Sequence, residues 1–168
     1  SANGSNLSVT TTPLSIVGNT GFSGPTYVTG ANEVKIASFV ISASSAQGAR
    51  ISSLTFDKDL FALDLQNMKV MVGSTQFGTT RASLSATAAE TAIACSASSP
   101  IQVPTGGSVT VDVFADILTG SATEATVFDL TGWSAIGNTS NSSITFPGAV
   151  AGQSVTVSSG PTLTVARA

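Results

Sequence analysis

The acidic side chains are the residues of this sequence whose types and spacing could do chemistry. Asp57, Asp59 and Asp64 form the densest acidic group, and oxygen ligands two residues apart are what a Ca²⁺ loop uses. The group lacks the glycine and the closing glutamate of an EF-hand, and Lys58 stands inside it. Two hypotheses follow: a calcium site formed by the three aspartates, or a solvated loop that binds nothing.

A second acidic pair, Asp112 and Asp116, stands four residues apart on a predicted strand. The rise of a strand places the two carboxylates about 13 Å apart, which is too far for a catalytic pair on their own. We expect these aspartates to pair with Lys35 or Arg50, or to accept hydrogen bonds from loop backbone.

The sequence lacks the residues on which most catalytic and metal sites depend. Histidine is absent and Cys95 is the only cysteine, which excludes an intrachain disulfide and a thiolate zinc site. Cys95 is predicted to be a small buried apolar residue. Neither a nucleophile elbow nor a glycine-rich phosphate loop occurs. The prediction is a protein that is not an enzyme and that uses no cofactor other than Ca²⁺. A glycoside hydrolase that uses carboxylates is the enzymatic alternative.

The charge and hydropathy of the chain restrict its partners. Charged residues make up 9% of the 168 residues and the net charge is −3. No basic stripe is present, so we expect no nucleic-acid partner. The mean hydropathy is +0.36, but no apolar run approaches the roughly 20 residues of a membrane helix. We therefore expect no membrane span.

Four Asn-x-Ser/Thr motifs mark candidate glycosylation sites, at Asn3, Asn6, Asn138 and Asn141. Their grouping in two segments rich in small polar residues favours an extracellular location at a cell surface.

The elements that position these residues are organised around residues 104–119, PTGGSVTVDVFADILT. Apolar residues alternate with Thr110, Asp112, Phe114 and Asp116, which predicts a long central strand with one buried face. Residues 33–42 form a second strong strand, and residues 67–72 and 75–79 form a hairpin across Gly73-Ser74. Further predictions are a surface loop at 18–30, a short helical turn at 57–66, and closing strands at 144–146, 154–158 and 162–166.

Short strands with turn signals every eight to twelve residues predict an all-β fold, an antiparallel β-sandwich of about ten strands. Residues 1–6 are expected to be a flexible N-terminal segment, and residues 7–168 a single sandwich domain. The predicted core comprises Ile36, Val40, Leu54, Val111, Val113 and Val127.

The two ends of the chain share a pattern, Leu7-Ser8-Val9-Thr10 and Leu163-Thr164-Val165-Ala166. One interpretation is coincidence in a chain rich in Val and Thr. The other is that residues 162–168 link to a further copy or exchange a strand with it.

The segments VKIASFVISAS, ISSLTF, DLQNMKVMVGSTQFG, IQVPTGGSVTVDVFADI and VTVSSGPTLTV carry a resemblance. Together, over residues 7–165, they are similar to immunoglobulin-like sandwich modules of large secreted bacterial surface proteins. The resemblance implies tandem arrays, adhesins or surface filaments, and it supplies no catalytic residues. A jelly-roll-like arrangement of the sandwich is the topological alternative.

Two functions are therefore predicted. One is a structural subunit or repeat of a surface filament or surface layer, whose partners are copies of itself or neighbouring modules. The other is an adhesin module that binds a ligand such as a surface glycan, for which Tyr27 and Trp133 could form a platform. The low charge favours the structural function, since a surface with few charges tends to be buried against copies of itself.

Overall fold

The computed structural model describes residues 13–58, 64–84, 90–119 and 125–160, and these residues form strands, turns and irregular segments. The strands are β1 Leu14–Gly18, β2 Thr26–Val28, β3 Val34–Ala43, β4 Ala49–Lys58, β5 Leu65–Val72, β6 Thr75–Leu84, β7 Glu90–Val103, β8 Ser108–Ile117, β9 Ala125–Thr126, β10 Phe128–Gly137 and β11 Val155–Ser158. Within the described ranges no helix is long and apolar enough to cross a membrane.

The strands form two main sheets that share one hydrophobic core. The larger sheet has the order β1-β3-β8-β5-β6 and the smaller one β10-β4-β7, and every pair in both is antiparallel. A third sheet has the order β2-β11-β9, in which β2 and β11 run parallel. The predicted all-β sandwich is confirmed, with eleven strands in the described residues and one parallel pair that the sequence did not indicate.

Strand β8 lies at the centre of the larger sheet, as its length and alternation predict. It pairs with β3 on one side and β5 on the other. Val111, Val113, Ala115 and Ile117 are buried, because the pleat directs alternate side chains to the face that packs on the smaller sheet.

The buried face of strand β3 differs from the predicted one. Its register with β8 shifts between Lys35 and Ala37, so Ile36 is the extra residue of a β-bulge, and both Ile36 and Ala37 are buried. Beyond the bulge the core face continues through Phe39 rather than Val40. The core assignment of Val40 is wrong because the bulge changes the phase of the alternation.

The core assignment of Val127 is also wrong, since this residue lies between β9 and β10 and is only half-buried. Its neighbour Phe128 takes the core position. The ring of Phe56 lies 5.8 Å from that of Phe128 and 6.2 Å from that of Phe39, centroid to centroid. This row of aromatic rings joins β3 of the larger sheet to β4 and β10 of the smaller one. Ile36, Leu54, Val111 and Val113 are buried as predicted.

Several predicted local elements can be compared with the described residues. The hairpin across Gly73-Ser74 is confirmed by the pairing of β5 with β6. The predicted loop at 18–30 contains strand β2, and residues 144–146 form no strand, although Ser143 makes an isolated bridge to Ile136. Both differences arise because the partner of a two- or three-residue strand is set by tertiary contacts and not by local pattern.

Other predictions fall on residues outside the described ranges. These are the flexible segment 1–6, the strand expected at 162–166, the proposed exchange of 162–168, and residues 59–63 of the helical turn predicted at 57–66. Among the described residues of that predicted turn, Asp57 and Lys58 belong to β4 and residues 65–66 belong to β5.

Candidate functional site

A groove lies between β6 and β7, the outermost strands on one side of the sandwich. It has a volume of about 500 Å³ and is lined by Val72, by residues 75–79 and by residues 96–102. Pockets that bind small ligands or extended segments have volumes of this order. In the described part of the chain, β6 pairs only with β5 and β7 only with β4. Each strand therefore has one side of its backbone free for a further partner.

Two irregular segments shape this groove. In β6, residues 78–80 stand opposite the single residue of β5 between Met68 and Val70. In β7, residues 97–100 stand opposite the single residue of β4 between Ile51 and Ser53. A bulge bends its strand and interrupts the ladder. The two strands consequently diverge beyond residues 78 and 96, and the groove occupies the space between them.

Gly78 marks the point where the two edge strands touch. Its φ is +76°, and a Cβ built there would lie 2.8 Å from the carbonyl oxygen of Ser96. Only glycine combines a left-handed backbone with so close an approach at low cost. The Gln76 side chain supports the bulge by donating hydrogen bonds to the Gly78 carbonyl and to Thr80 Oγ1, at 3.2 and 3.1 Å.

The lining of the groove is uncharged. Its thirteen residues are Val72, residues 75–79 and residues 96–102, and none of them is acidic or basic. Phe77 and Ile101 are the buried apolar residues of the lining, while Ser, Thr and Gln supply hydroxyl and amide groups. The groove therefore suits a neutral partner with an exposed backbone and small apolar side chains.

The opposite side of the sandwich is closed by the segment that follows β10. Val150 exchanges two backbone hydrogen bonds with Leu130, and the Ile144 amide donates to the Ala135 carbonyl at 2.8 Å. The Trp133 indole Nε1–H donates to the Ile144 carbonyl at 3.1 Å. The ring of Trp133 also meets Phe146 edge to face, with centroids 4.8 Å apart. This closing segment, residues 141–153, covers the outer edge of β10.

The predicted pairing of Asp112 with Lys35 is confirmed on the outer face of the larger sheet. Lys35 Nζ lies 2.8 Å from Asp112 Oδ2, and the hydroxyl of buried Ser38 donates to Asp112 Oδ1 at 2.6 Å. The Lys35 ammonium group also lies 5.8 and 5.6 Å from the ring centroids of Phe22 and Phe114. These groups satisfy one another, so the cluster has a structural role.

Asp116 accepts hydrogen bonds from loop backbone, the other role expected for this pair. Its Oδ1 accepts from the Glu33 amide and its Oδ2 from Asn67 Nδ2, each at 2.7 Å. Glu33 and Asn67 both have positive φ, +50° and +52°, so one carboxylate holds two left-handed residues. The hydrogen bond from Asn67, that from the Glu33 amide and the charge of Lys69 lower the pKa of Asp116.

The predicted calcium ligands are only partly covered by the described residues. Asp57 lies on β4 and accepts a hydrogen bond from Thr131 Oγ1 at 3.2 Å. Asp64 precedes β5, and its carbonyl accepts from the Leu118 amide at 2.9 Å. Asp59 lies outside the described ranges. No group of three acidic, histidine or cysteine side chains with metal-binding geometry occurs in the ranges that are described, so the calcium site stays a prediction.

The remaining predicted site residues are Tyr27, Trp133 and Cys95. Tyr27 donates its hydroxyl to the Lys35 carbonyl at 3.0 Å, and the Trp133 indole is used within the closing segment. Both rings are half-buried and pack against the core. Cys95 is buried, and desolvation raises the pKa of its thiol, in agreement with an apolar role.

The glycosylation candidates at Asn138 and Asn141 are exposed in the turn after β10. Asn141 Oδ1 accepts a hydrogen bond from Arg50 Nη2 at 2.7 Å. Asn3 and Asn6 lie outside the described residues, and glycosylation at all four positions stays a prediction.

Reasoning from sequence missed the groove. Two signals were present: Gly78 and Pro100 stand inside segments that otherwise have strand character. Glycine in a strand often marks a bulge or a close backbone approach, and proline is confined to edges and bulges. Their proximity across two sheets could not be read from the sequence.

Comparison with solved structures finds distant similarity. The seventh ScaB type I cohesin from Pseudobacteroides cellulosolvens is 15% identical to this chain, with a TM-score of 0.46. The alignment covers 92% of this chain and 98% of the cohesin. No family model and no curated protein matches the chain. The function is therefore argued from the residues of this chain.

Proposed function

We propose that this chain is a non-catalytic structural module of the cell exterior, a subunit or repeat that assembles with copies of itself or with neighbouring modules through strand contacts. The observation that carries this proposal is the open side of the sandwich. There β6 and β7 each have a backbone side without a strand partner in the described residues, and a groove of about 500 Å³ separates them.

The difference between the two sides of the sandwich supports the proposal. The closing segment covers β10 through backbone hydrogen bonds and the Trp133–Phe146 contact, whereas the described chain supplies no such cover for β6 and β7. Unpaired backbone donors and acceptors on an edge strand are a template for pairing with another chain.

The distribution of charge supports the same proposal. A monomer protects an open edge most directly with charged side chains, but the groove lining contains none. Charged residues lie instead on the outer face of the larger sheet, where Lys35 pairs with Asp112 and Lys69 with Glu33. The groove lining thus offers no charge repulsion to an uncharged segment of another copy.

The arrangement of polar groups favours a structural module over an enzyme. Asp112 and Asp116 are each engaged by two hydrogen-bond donors of the fold. A general base must instead be able to reach a substrate proton. An extracellular location is part of the proposal and rests on the Asn-x-Ser/Thr motifs and on the sequence resemblance described above.

Sedimentation velocity of the full chain over a wide concentration range tests the proposal. We expect the mean sedimentation coefficient to increase with concentration. The variant Ser98→Asp adds a charge to the groove and should weaken association at least tenfold, because a buried unpaired carboxylate is costly. The matched control Ser134→Asp adds the same charge at an exposed position of β10 and should associate like the wild type.

A wild-type chain that stays monomeric at every concentration would contradict self-assembly. If such a monomer bound surface glycans, the adhesin function would replace the structural function. Equal weakening by Ser98→Asp and Ser134→Asp would show that the association does not use the groove.

A further inference from the structure

We infer that the groove between β6 and β7 binds residues 1–12 of a second copy of this chain in an extended conformation. This inference rests on the proposed function, and it adds the segment that each copy supplies and the surface that receives it. The resulting contact joins two different surfaces of the molecule, the N-terminal segment of one copy and the groove of the next.

The chemistry of the segment matches that of the groove. Residues 1–12, SANGSNLSVTTT, contain no charged residue, and the groove lining contains none either. Leu7 and Val9 alternate with Ser8 and Thr10, so an extended segment has an apolar edge and a hydroxyl edge. The apolar edge suits Phe77 and Ile101 of the lining, and the hydroxyl edge suits its Ser and Thr side chains.

The length of the segment also fits. The groove follows β6 from residue 75 to Gly78, where Ser96 of β7 approaches, and these four residues of strand span about 14 Å at about 3.4 Å per residue. Residues 7–10 supply four residues of alternating character. Backbone hydrogen bonds to one free strand edge would provide affinity, while Leu7 and Val9 would set the register.

The position of β1 indicates that the donor is a second molecule. The segment leads into Pro13, whose carbonyl accepts a hydrogen bond from the Ser44 amide at 3.0 Å, and then into β1. Strand β1 is at the end of the larger sheet opposite to β6, and four strand spacings separate them by about 19 Å. Pro13, the first described residue, thus lies on the side of the larger sheet remote from the groove of the same molecule.

A contact of this kind does not pair a surface with itself. Head-to-tail contacts produce a ring where the rotation closes and an open filament where it does not. Each copy has one donor segment and one groove, so assembly continues until one of the two is blocked. This property distinguishes the inference from a symmetric dimer formed by two β6 edges.

The test is a complementation experiment with two full-length variants. Val9→Asp places a charge in the donor segment and leaves the groove intact, whereas Ser98→Asp blocks the groove and leaves the donor intact. We expect each variant alone to associate at least tenfold more weakly than the wild type. An equimolar mixture should form dimers, and assembly should stop at two because one donor and one groove remain unusable.

Two matched controls accompany this experiment. Val165→Asp changes the corresponding position of the similar C-terminal segment, and Ser134→Asp changes an exposed residue of β10; both should assemble like the wild type. Circular dichroism and thermal unfolding of each variant establish that it is folded like the wild type.

The outcomes separate the inference from the proposed function. If Val9→Asp assembles normally while Ser98→Asp does not, the groove receives another element and the inference is overturned, but the proposed function stands. Loss of assembly in Val165→Asp alone would identify the C-terminal segment as the donor. This result would also overturn the inference. Failure of the two folded variants to form a mixed dimer excludes the head-to-tail contact. A monomeric wild type would remove self-assembly from the proposed function, and the inference with it.

Discussion

Gly78 determines how closely the two open edge strands approach each other. Its positive φ and the nearby Ser96 carbonyl require the absence of a side chain. Gly73, in the hairpin turn between β5 and β6, also has a positive φ, +60°, but no atom lies within 4 Å of a Cβ built there. Comparing the two glycines therefore distinguishes the effect of a left-handed backbone, which both have, from the effect of a steric contact, which only Gly78 has.

We expect Gly73→Ala to lower the free energy of unfolding by about 1 kcal/mol, the cost of a left-handed non-glycine residue. Gly78→Ala adds a contact that must be relieved by moving the backbone, so its loss should exceed about 2 kcal/mol. Urea unfolding of both variants measures this difference. Equal losses would show that β6 and β7 separate without cost at residue 78.

Asp116 connects the stability of the fold to pH. Its pKa is lowered in the folded protein, first by the hydrogen bond from Asn67 and then by that from the Glu33 amide. A lowered pKa means that the ionised carboxylate stabilises the folded state above its unfolded pKa of about 3.9. This contribution is lost as the pH falls through the folded pKa.

We expect Asp116→Asn to be less stable than the wild type at pH 7, and we expect this difference to shrink as the pH falls and the wild-type carboxyl group takes up a proton. Urea midpoints at pH 7 and at a series of lower pH values measure the change. Glu33→Gln is the control, because the Glu33 side chain is 71% exposed and its ion pair with Lys69 contributes little. A stability difference for Asp116→Asn that does not shrink at low pH would contradict the assignment.

At the scale of elements, the closing segment differs from the strands because separate contacts, and not a continuous ladder, hold it. Two isolated bridges, the Trp133 side chain and the Gly152–Asp129 hydrogen bond attach residues 141–153 to β10, and Gln153 forms hydrogen bonds with Ser38 and Asn19. The central strands β3 and β8, in contrast, form a continuous ladder with one shift in register. Local opening is expected to begin where the ladder is discontinuous.

We expect Trp133→Phe to lower the free energy of unfolding by about 1 kcal/mol, because the Ile144 carbonyl loses its indole donor while much of the ring contact with Phe146 is kept. Hydrogen exchange should become faster at the Ile144 and Val150 amides and stay unchanged at the amides that join β3 to β8. Uniform acceleration in all strands would mean that the segment opens only with the whole sandwich.

At the scale of the whole molecule, the two sides of the sandwich are unequal. On one side the chain covers the outer edge of β10, and the described residues leave the other side open along β6 and β7. A sandwich with one open side and an uncharged groove is suited to addition of a further strand. This inequality, rather than any set of catalytic groups, underlies the function proposed for the chain.

The sequence by itself determined the class of fold and its central strand. Alternation in residues 108–117 predicts which face of β8 is buried, since the period of two is a local property of an extended backbone. The Gly73-Ser74 turn and the pairing of Asp112 with Lys35 were likewise predictable, because turn chemistry is local and charged groups in a chain so poor in them have few partners.

Only the tertiary structure decided the bulge in β3, the pairing of β2 with β11, and the groove. The bulge makes Phe39, not Val40, the core residue, because register is set by the neighbouring strand. Strand β2 is three residues long and depends on its partner more than on its own propensity. The groove is formed by residues that are distant in sequence and belong to different sheets, so only the packing of the two sheets brings Gly78 against Ser96.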